Sequence, residues 1–226
     1  MLIVAVDTSG KKGSVALCRG DGEKFEVLEL TSLEGRTYSA QLMPRIAQLL
    51  AGHKLSKTDV DGFAVVSGPG SFTGLRVGLA TAKGLCEVLQ TPLATVSMLE
   101  AIALTYGQTD QAVTVALDAG RGEVYVGDYL VAAGRASVVR EYIPKLETFA
   151  AEAAAGCDVV LTPDVKVADC LQAANAQVKL VPTIQADEIG WIGIRKLLAG
   201  EQDDPATVDV NYIRRSDAEL FSKTKH

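Results

Sequence analysis

Short apolar runs alternate with longer amphipathic segments along this chain. The runs IVAV at 3–6, FAVV at 63–66 and VVL at 159–161 are continuous, which is typical of parallel strands covered on both faces. The segments YSAQLMPRIAQLL at 38–50 and DEIGWIGIRKLLAG at 187–200 repeat apolar residues at helical spacing. The alternation of strands and helices predicts an α/β fold.

The pattern occurs twice. The first copy opens with IVAVDTSGKKGSVALCRGDGEKFEVLEL at 3–30 and the second with VTVALDAGRGEVYVGDYLVAAGRASVVREY at 113–142. In each copy a strand ends at an aspartate, Asp7 or Asp118, and a turn of small residues leads into a second and a third strand. Helix, strand, helix and strand patterns follow in both halves. An antiparallel meander joined to parallel strands predicts two tandem lobes, each with a mixed sheet flanked by helices, and a cleft between them.

This arrangement is that of the actin-like fold, also called ribonuclease-H-like or ASKHA, to which actin and the sugar kinases belong. We expect the first lobe at 1–106 and the second at 107–186, with 187–226 as the segment that would complete the first. In this fold the aspartate that ends the first strand and the turns of both lobes hold phosphates. The sequence therefore predicts an inherited nucleotide cleft. Its residues would be Asp7, Thr8, Ser9, Asp118, Gly120 and Gly122.

Composition and charge restrict the function. The chain has 226 residues, a net charge of −6 and a pI of about 5.0, which argues against a broad basic face for nucleic acid. The apolar opening MLIVAV reaches Asp7 after six residues, which is too short for a signal peptide or a membrane span. We therefore expect a cytoplasmic protein that touches no membrane.

Histidine and cysteine are sparse. The two histidines are His53 and His226, which argues against a zinc or iron site built on histidine. The cysteines form no CxxC pair and stand within apolar runs, so we expect buried, reduced thiols. They are Cys18, Cys86, Cys157 and Cys170.

The stretch VVSGPGSFTGLRVGLATAKGL at 65–85 joins a strand to a helix through a Gly-Pro-Gly turn. It does not fit a P-loop, because Leu75 and Arg76 follow Gly74 where a lysine and a hydroxyl residue are needed. It does not fit a dinucleotide loop either, because Thr73 stands at the third glycine position. A phosphate-binding role for these glycines is therefore disfavoured.

Glycines inside this helix need another explanation, because each one costs about 1 kcal/mol relative to alanine. Gly74, Gly78 and Ala82 recur every four residues and so share one face, along which another backbone can approach closely. The preceding helix carries an apolar stripe that includes Leu42 and Ile46. The residues alone leave open whether the glycine face meets a helix of the same lobe or a partner protein.

Several blocks of the chain resemble one bacterial protein family in order and spacing. They are AVDTS at 5–9, YSAQLMPRIAQLL at 38–50, GPGSFTGLRVGLATAKGL at 68–85, TVSMLEAIA at 95–103, DAGRGEVYVGDY at 118–129 and VNYIRR at 210–215. On these blocks, which span nearly the whole chain, the sequence is identified as a member of the TsaB (YeaZ) family.

The resemblance implies a non-catalytic role. TsaB is the partner of TsaD, and with the small ATPase TsaE they place a threonylcarbamoyl group on the adenosine next to the anticodon of certain tRNAs. TsaD carries HxxxH at the start of a helix, where two histidines hold a metal, and the same register here has Met98 and Ile102. The resemblance implies that this chain is not an enzyme and holds no cofactor or metal, with ATP and a metal on the partner subunits.

The resemblance also implies how the chain associates. It would form a heterodimer with TsaD and a homodimer when alone, and it would reach TsaE and tRNA only through the complex. The implied partner surface lies on the first two helices of the first lobe. Its residues would be Leu42, Ile46, Gly74, Arg76, Gly78 and Ala82.

One segment departs from the family. Many members carry Gly-Asp-Gly after the strand that corresponds to CDVVL at 157–161, where this chain has TPDV at 162–165. A proline and the loss of two glycines hinder the close approach of a nucleotide to the backbone. We therefore interpret the nucleotide cleft as a degraded relic.

Two enzyme hypotheses compete with the non-catalytic one. A free-standing actin-like ATPase or kinase would use Asp7 and Asp118 across the cleft. A peptidase would need a nucleophile with a base, or a metal, and the sole internal histidine, His53, stands in the polar segment GHKLSK at 52–57. We rank the ATPase or kinase second and regard peptidase activity as disfavoured.

Overall fold

The computed structural model describes residues 1–34, 37–156 and 158–211. The chain forms two compact units. Unit 1 comprises Met1–Ala101 and Ile184–Val210, and unit 2 comprises Ile102–Thr183 and takes up the chain again at Asn211. Cys157, His226 and residues 212–215 of the VNYIRR block lie outside the described residues.

The secondary structure follows the order predicted for a duplicated α/β unit. In chain order the strands and α-helices are β1 Leu2–Asp7, β2 Lys12–Gly20, β3 Phe25–Glu34, α1 Tyr38–Gly52, β4 Gly62–Gly68, α2 Phe72–Leu89, β5 Leu93–Ser97, α3 Met98–Tyr106, β6 Gln111–Gly120, β7 Glu123–Ala132, β8 Arg135–Tyr142, α4 Leu146–Ala155, β9 Val160–Thr162, α5 Val165–Ala173, β10 Val178–Leu180 and α6 Ala186–Leu198. A short 3₁₀ turn at Lys57–Asp59 precedes β4. None of the described helices is both long and apolar enough to cross a bilayer.

Each unit contains one five-stranded mixed sheet. Sheet 1 has the order β3-β2-β1-β4-β5, and sheet 2 has the equivalent order β8-β7-β6-β9-β10. In both, the first three strands of the unit pair antiparallel, the fourth pairs parallel to the first, and the fifth pairs parallel to the fourth. The predicted fold class is confirmed, an actin-like α/β fold with two mixed sheets flanked by helices.

Sheet 1 is covered on both faces by helices of its own unit. Successive side chains of a strand point to opposite faces, and β4 shows which helix lies on which side. Val65 faces α2, where a Cβ built on Gly78 would lie 3.5 Å from its Cγ2. Ala64 faces α6, where a Cβ built on Gly193 would overlap its Cβ. Helices on both faces explain why β1 and β4 are fully buried and read as continuous apolar runs.

Sheet 2 has its core beneath α4 and α5. Phe149 of α4 and Leu171 of α5 pack with Ala116 of β6 and Val126 of β7 in one buried cluster. Burial of these apolar side chains supplies the main stabilising free energy of the unit.

The cysteines are only partly as expected. Cys18 and Cys86 are buried free thiols, whereas Cys170 is half-buried rather than buried. Burial raises the pKa of the Cys18 thiol to about 12 and that of Cys86 to about 11. Both therefore stay protonated at neutral pH and are poor nucleophiles.

Candidate partner-binding site

The turn between β1 and β2 lies against the N-terminal part of α2. Thr8 is almost fully buried, and its hydroxyl donates to the carbonyl oxygen of Gly74 at 2.7 Å. The backbone N–H of Ser71 donates to the carbonyl oxygen of Ser9 at 2.6 Å. The contact is close because α2 presents glycine here: a Cβ built on Gly74 would overlap the carbonyl oxygen of Thr8. One turn later, a Cβ built on Gly78 would overlap the hydroxyl oxygen of Thr8.

The glycine ridge of α2 is therefore an internal contact. Gly74, Gly78 and Ala82 are all buried within unit 1, so the expectation that this ridge faces a partner is wrong for these residues. Leu42 and Ile46 of α1 are only 1% and 4% exposed and also point into the unit. Of the predicted interface residues, Arg76 alone is exposed.

A different ridge of α2 points outward. Arg76, Ala80, Gly84 and Val88 recur every four residues, and all four are exposed, Val88 at 73%. A Cβ built on Gly84 would meet no other atom within 4 Å. Nothing in the described part of unit 1 therefore requires glycine at this position.

Large apolar side chains flank this outward ridge. Phe72 at the start of α2 is 44% exposed, and the Arg76 guanidinium lies 3.9 Å from the centre of its ring. Met43 on the neighbouring helix α1 is 48% exposed. Together with Val88 they give the surface of α1 and α2 the apolar character of protein interfaces. The four-residue spacing of this ridge was visible in the sequence, but spacing alone does not tell which of two small-residue faces is buried.

The N-terminus of α1 holds the same turn from a second direction. The Tyr38 hydroxyl donates to the carbonyl oxygen of Gly10 at 2.9 Å, and its ring occupies the space that a Cβ on Gly13 would need. Burial and the nearby Asp7 raise the pKa of Tyr38 to about 12, so its hydroxyl remains a donor. Sequence reasoning missed this contact, because Tyr38 lies 28 residues from Gly10 in the chain.

Asp7, Thr8 and Ser9 form one cluster in unit 1. Asp7 is 4% exposed, and its Oδ1 accepts from the backbone N–H of Ser9 at 2.8 Å and from the Ser9 hydroxyl at 2.6 Å. Burial raises the pKa of Asp7, and the two bonds from Ser9 oppose this only in part. The carboxyl therefore acts as an acceptor that shapes the turn, in agreement with the turn-forming habit of aspartate.

Asp118, Gly120 and Gly122 form the corresponding turn in unit 2. The backbone N–H of Gly120 donates to the Asp118 carboxylate at 3.0 Å. Gly120, Arg121 and Gly122 have φ angles of +72°, +55° and +74°, a left-handed run that glycine permits at little cost.

Asp164 changes the chemistry beside this second turn. Its carboxylate accepts from the backbone N–H of Asp118 at 2.7 Å, and Lys166 Nζ lies 3.6 Å from the Asp118 carboxylate. A carboxylate that accepts a hydrogen bond from a backbone N–H competes with a phosphate for that donor, and its negative charge repels the phosphate. Asp164 belongs to the segment where the sequence departs from the family, and only the structure places it against β6.

Met98 and Ile102 lie where the sequence predicts. Helix α3 begins at Met98, and the two side chains, one turn apart, are 6% and 1% exposed. The polar contact nearby is an ion pair in which Lys196 Nζ lies 2.8 Å from the Glu100 carboxylate. In ranges 1–34, 37–156 and 158–211, no three His, Cys, Asp or Glu side chains are placed to share a metal ion.

The two glycines Gly74 and Gly84 should respond oppositely to alanine. Gly84→Ala adds a methyl group in open space and should raise the free energy of unfolding by about 1 kcal/mol through helix propensity. Gly74→Ala drives Cβ into the Thr8 carbonyl and should lower it by about 1–3 kcal/mol. Urea unfolding of the two variants measures both values, and shifts of the same sign would contradict the assignment of the two faces.

Asp7→Asn should stabilise the protein at neutral pH. Burial raises the pKa of Asp7 in the folded state above its unfolded value of 3.8. Between the two pKa values the folded state binds more protons than the unfolded state, so the free energy of unfolding falls as the pH rises through this range. Asparagine keeps an acceptor for Ser9 without the charge. Thermal unfolding of both proteins across a pH series should show an advantage for Asp7→Asn at neutral pH that disappears near the unfolded value. A wild-type protein that is the more stable at neutral pH would refute this.

Comparison with known proteins gives the family. The family model described as TsaD, tRNA N6-adenosine threonylcarbamoyltransferase, matches residues 32–170, more than half of the chain. The Bacillus subtilis tRNA threonylcarbamoyladenosine biosynthesis protein TsaB is 35% identical over 129 residues, which cover 57% of this chain and 55% of the relative. The Haemophilus influenzae protein of the same name is 39% identical over 127 residues, with 55% and 52% covered. The chain thus spans about half the length of these curated relatives.

A solved structure shows the same fold over nearly the whole chain. YeaZ from Pseudomonas aeruginosa superposes with a TM-score of 0.71 at 23% identity, covering 92% of this chain and 98% of that one. The chain belongs to the family that the TsaD model describes and, within it, to the TsaB (YeaZ) proteins.

Proposed function

We propose that this chain is a non-catalytic subunit for tRNA threonylcarbamoyladenosine biosynthesis. It would pair with TsaD so that TsaD can transfer the threonylcarbamoyl group to the adenosine next to the anticodon. The names of its TsaB relatives support the pathway. The observation that supports the non-catalytic role is the first turn of α3, which carries Met98 and Ile102 in the register where the resemblance expects the two metal-binding histidines of TsaD.

Neither side chain can perform the chemistry of the histidines it replaces. The thioether of a methionine is a soft, weak metal ligand, and the aliphatic side chain of an isoleucine cannot bind a metal at all. These two side chains therefore offer no oxygen or nitrogen ligand to a metal that must polarise a substrate. Met98 and Ile102 are instead buried in the core. The helix thus retains its place in the fold and serves packing.

The pairing surface in this proposal is the outward ridge of α2 with its apolar flanks. Gly84 lowers helix stability by about 1 kcal/mol relative to alanine, and no contact in the described part of unit 1 compensates for that loss. A partner backbone that approaches the small residues Ala80 and Gly84 would compensate, because close approach increases van der Waals contact. Met43 and Phe72 supply apolar area beside the ridge.

The remaining partners follow from the same proposal. TsaD would supply the metal site and TsaE the ATPase, and tRNA would bind the complex rather than this chain, whose net charge is −6. Without TsaD, the same ridge would pair two copies of the chain. The setting would be the cytoplasm, where tRNA is modified.

The competing enzymes have less support. An ATPase or kinase needs the second turn to accept phosphate, and the Asp164 carboxylate opposes that. A peptidase needs a nucleophile beside its base, but His53 Nε2 instead lies 3.0 Å from the Glu29 carboxylate on the surface. Both pieces of geometry favour a binding role over a catalytic one.

Reconstitution tests the proposed function directly. Purified TsaD, TsaE, tRNA, ATP and a preformed activated threonylcarbamoyl donor, the threonylcarbamoyl adenylate, should form threonylcarbamoyladenosine only when this chain is added, and this chain without TsaD should form none. Mass spectrometry of the digested tRNA measures the product. Unimpaired product formation when this chain is omitted would defeat the proposal.

Gly84→Arg should block pairing with TsaD. An arginine in the middle of the ridge prevents close approach, and we expect affinity and tRNA modification to fall at least about tenfold, which corresponds to about 1.4 kcal/mol. Gly156→Arg is the matched control, because Gly156 is exposed, lies in unit 2 and has only ordinary van der Waals neighbours. Size-exclusion chromatography with TsaD measures pairing, and circular dichroism checks the fold. Co-elution of folded Gly84→Arg with TsaD at wild-type affinity would refute the assigned surface.

A further inference from the structure

The chain that follows α6 forms a strap, residues 203–208, along the free edge of sheet 1. The backbone N–H of Asp203 donates to the carbonyl oxygen of Leu93 at 2.8 Å, and the Asp203 carboxylate accepts from the backbone N–H of Thr95 at 2.7 Å. Both bonds occupy backbone groups of β5, an edge strand of the sheet, and protection of that edge explains them. The rest of the strap, which leaves β5 and reaches α2, needs another explanation.

The second half of the strap lies beside the outward ridge of α2. Lys83 Nζ donates to the carbonyl oxygen of Val208 at 2.8 Å, and Lys83 directly precedes Gly84 on the helix. Asp204 holds this half of the strap in one shape. Its carboxylate accepts from the backbone N–H of Ala206 at 2.9 Å, and its carbonyl oxygen accepts from the backbone N–H of Val208 at 2.9 Å. A partner that approaches Gly84 closely therefore also comes close to the strap.

The surface beside this part of α2 is acidic. Residues 199–211 contain four carboxylates and no basic side chain, and Glu87 follows Lys83 by one turn of α2. Glu87, Asp204 and Asp209 are exposed, and within the described residues none of the three has an ion-pair partner. Lys83 supplies one opposing charge, and its side chain is half-buried. The potential at this part of the ridge is therefore negative.

Two copies of the chain that paired through this ridge would bring these charges together. Ala80 and Gly84 are the small residues that permit close approach, so the two-fold axis of such a pair would pass beside them. The strap lies next to Gly84 in each copy, and the two acidic surfaces would then be neighbours. Like charges repel across such a contact, and salt reduces the repulsion because the Debye length is about 10 Å at 0.1 M. Pairing of two copies is thus weakened by the charges around its closest contact.

We infer that the acidic surface formed by Glu87, Asp204 and Asp209 selects the partner of the outward ridge. It favours a chain that presents basic side chains at this place, and it disfavours a second copy of this chain. The inference rests on the proposed function, in which the favoured chain is TsaD. Discrimination of this kind combines attraction for one partner with repulsion of the other. Close packing comes from Ala80 and Gly84, whereas the choice of partner comes from the carboxylates beside them.

Removal of the three charges should shift the two dimers in opposite directions. The neutral variant combines Glu87→Gln, Asp204→Asn and Asp209→Asn, and its asparagines keep the oxygens that accept the backbone N–H groups of Ala206 and Val210. We expect its affinity for TsaD to fall at least about threefold and its affinity for itself to rise at least about threefold. Surface plasmon resonance measures the first affinity and sedimentation equilibrium the second. A folding defect would lower both affinities, so shifts of the same sign, or a failure of either affinity to shift, overturn the inference.

A matched control removes the same number of charges elsewhere. It combines Glu147→Gln, Asp158→Asn and Asp169→Asn at exposed positions of unit 2, and it should leave both affinities at the wild-type value. Effects equal to those of the neutral variant would overturn the inference, because net charge alone would then explain them.

Salt and a ridge substitution complete the test. A rise in salt from about 0.05 M to about 0.5 M should weaken the wild-type heterodimer and strengthen the wild-type homodimer, and a response in the same direction would contradict the inference. Gly84→Arg added to the neutral variant should remove the gain in self-association. A gain that survives would place the self-contact elsewhere on the chain and overturn the inference.

The tRNA assay with the wild-type chain reports on the proposed function separately. Product formed without this chain would defeat the proposed function. A heterodimer with TsaD whose affinity does not depend on the three carboxylates would defeat the inference alone.

Discussion

The backbone contact between the β1–β2 turn and helix α2 decides which face of α2 is buried and which is exposed. Thr8 touches α2 through its carbonyl and its hydroxyl, at Gly74 and Gly78. Because no side chain separates the two backbones, α2 cannot rotate about its axis without a clash or an unpaired buried hydroxyl. This contact fixes Gly84 on the outside. The same helix thus contains glycines of two kinds, those that the fold needs and one that it does not.

The turns that follow β1 and β6 are held by different internal contacts. In unit 1, Asp7 and Ser9 bond to each other and the turn is held by α1 and α2. In unit 2, Asp164 occupies a backbone donor beside the glycine-rich turn. In unit 1 the buried Asp7 carboxyl, with its bonds from Ser9, stabilises the local shape of the turn.

Sheet 1 is covered unevenly on its two faces. Two helices, α1 and α2, lie on one face, whereas α6 lies on the other. Helix α6 crosses the sheet and contacts all five of its strands, but Phe25 and Val27 of the edge strand β3 remain partly exposed. Helix α2, with its outward ridge, and helix α6 lie on opposite faces of this sheet.

The sequence by itself determined the duplicated α/β pattern, the actin-like fold and the helix that carries Met98 and Ile102, because strand and helix periodicities are local. It did not determine which face of α2 is buried. The same four-residue spacing occurs on two faces, at positions 74, 78 and 82 and at positions 76, 80, 84 and 88. Only the contact between Gly74 and Thr8, which are 66 residues apart in the chain, distinguishes the two faces. Leu42 and Ile46 were placed on the wrong side for the same reason. Asp164 and Tyr38 were missed because their partners are distant in the chain. Periodicity tells which residues share a face, and only the tertiary structure tells what that face touches.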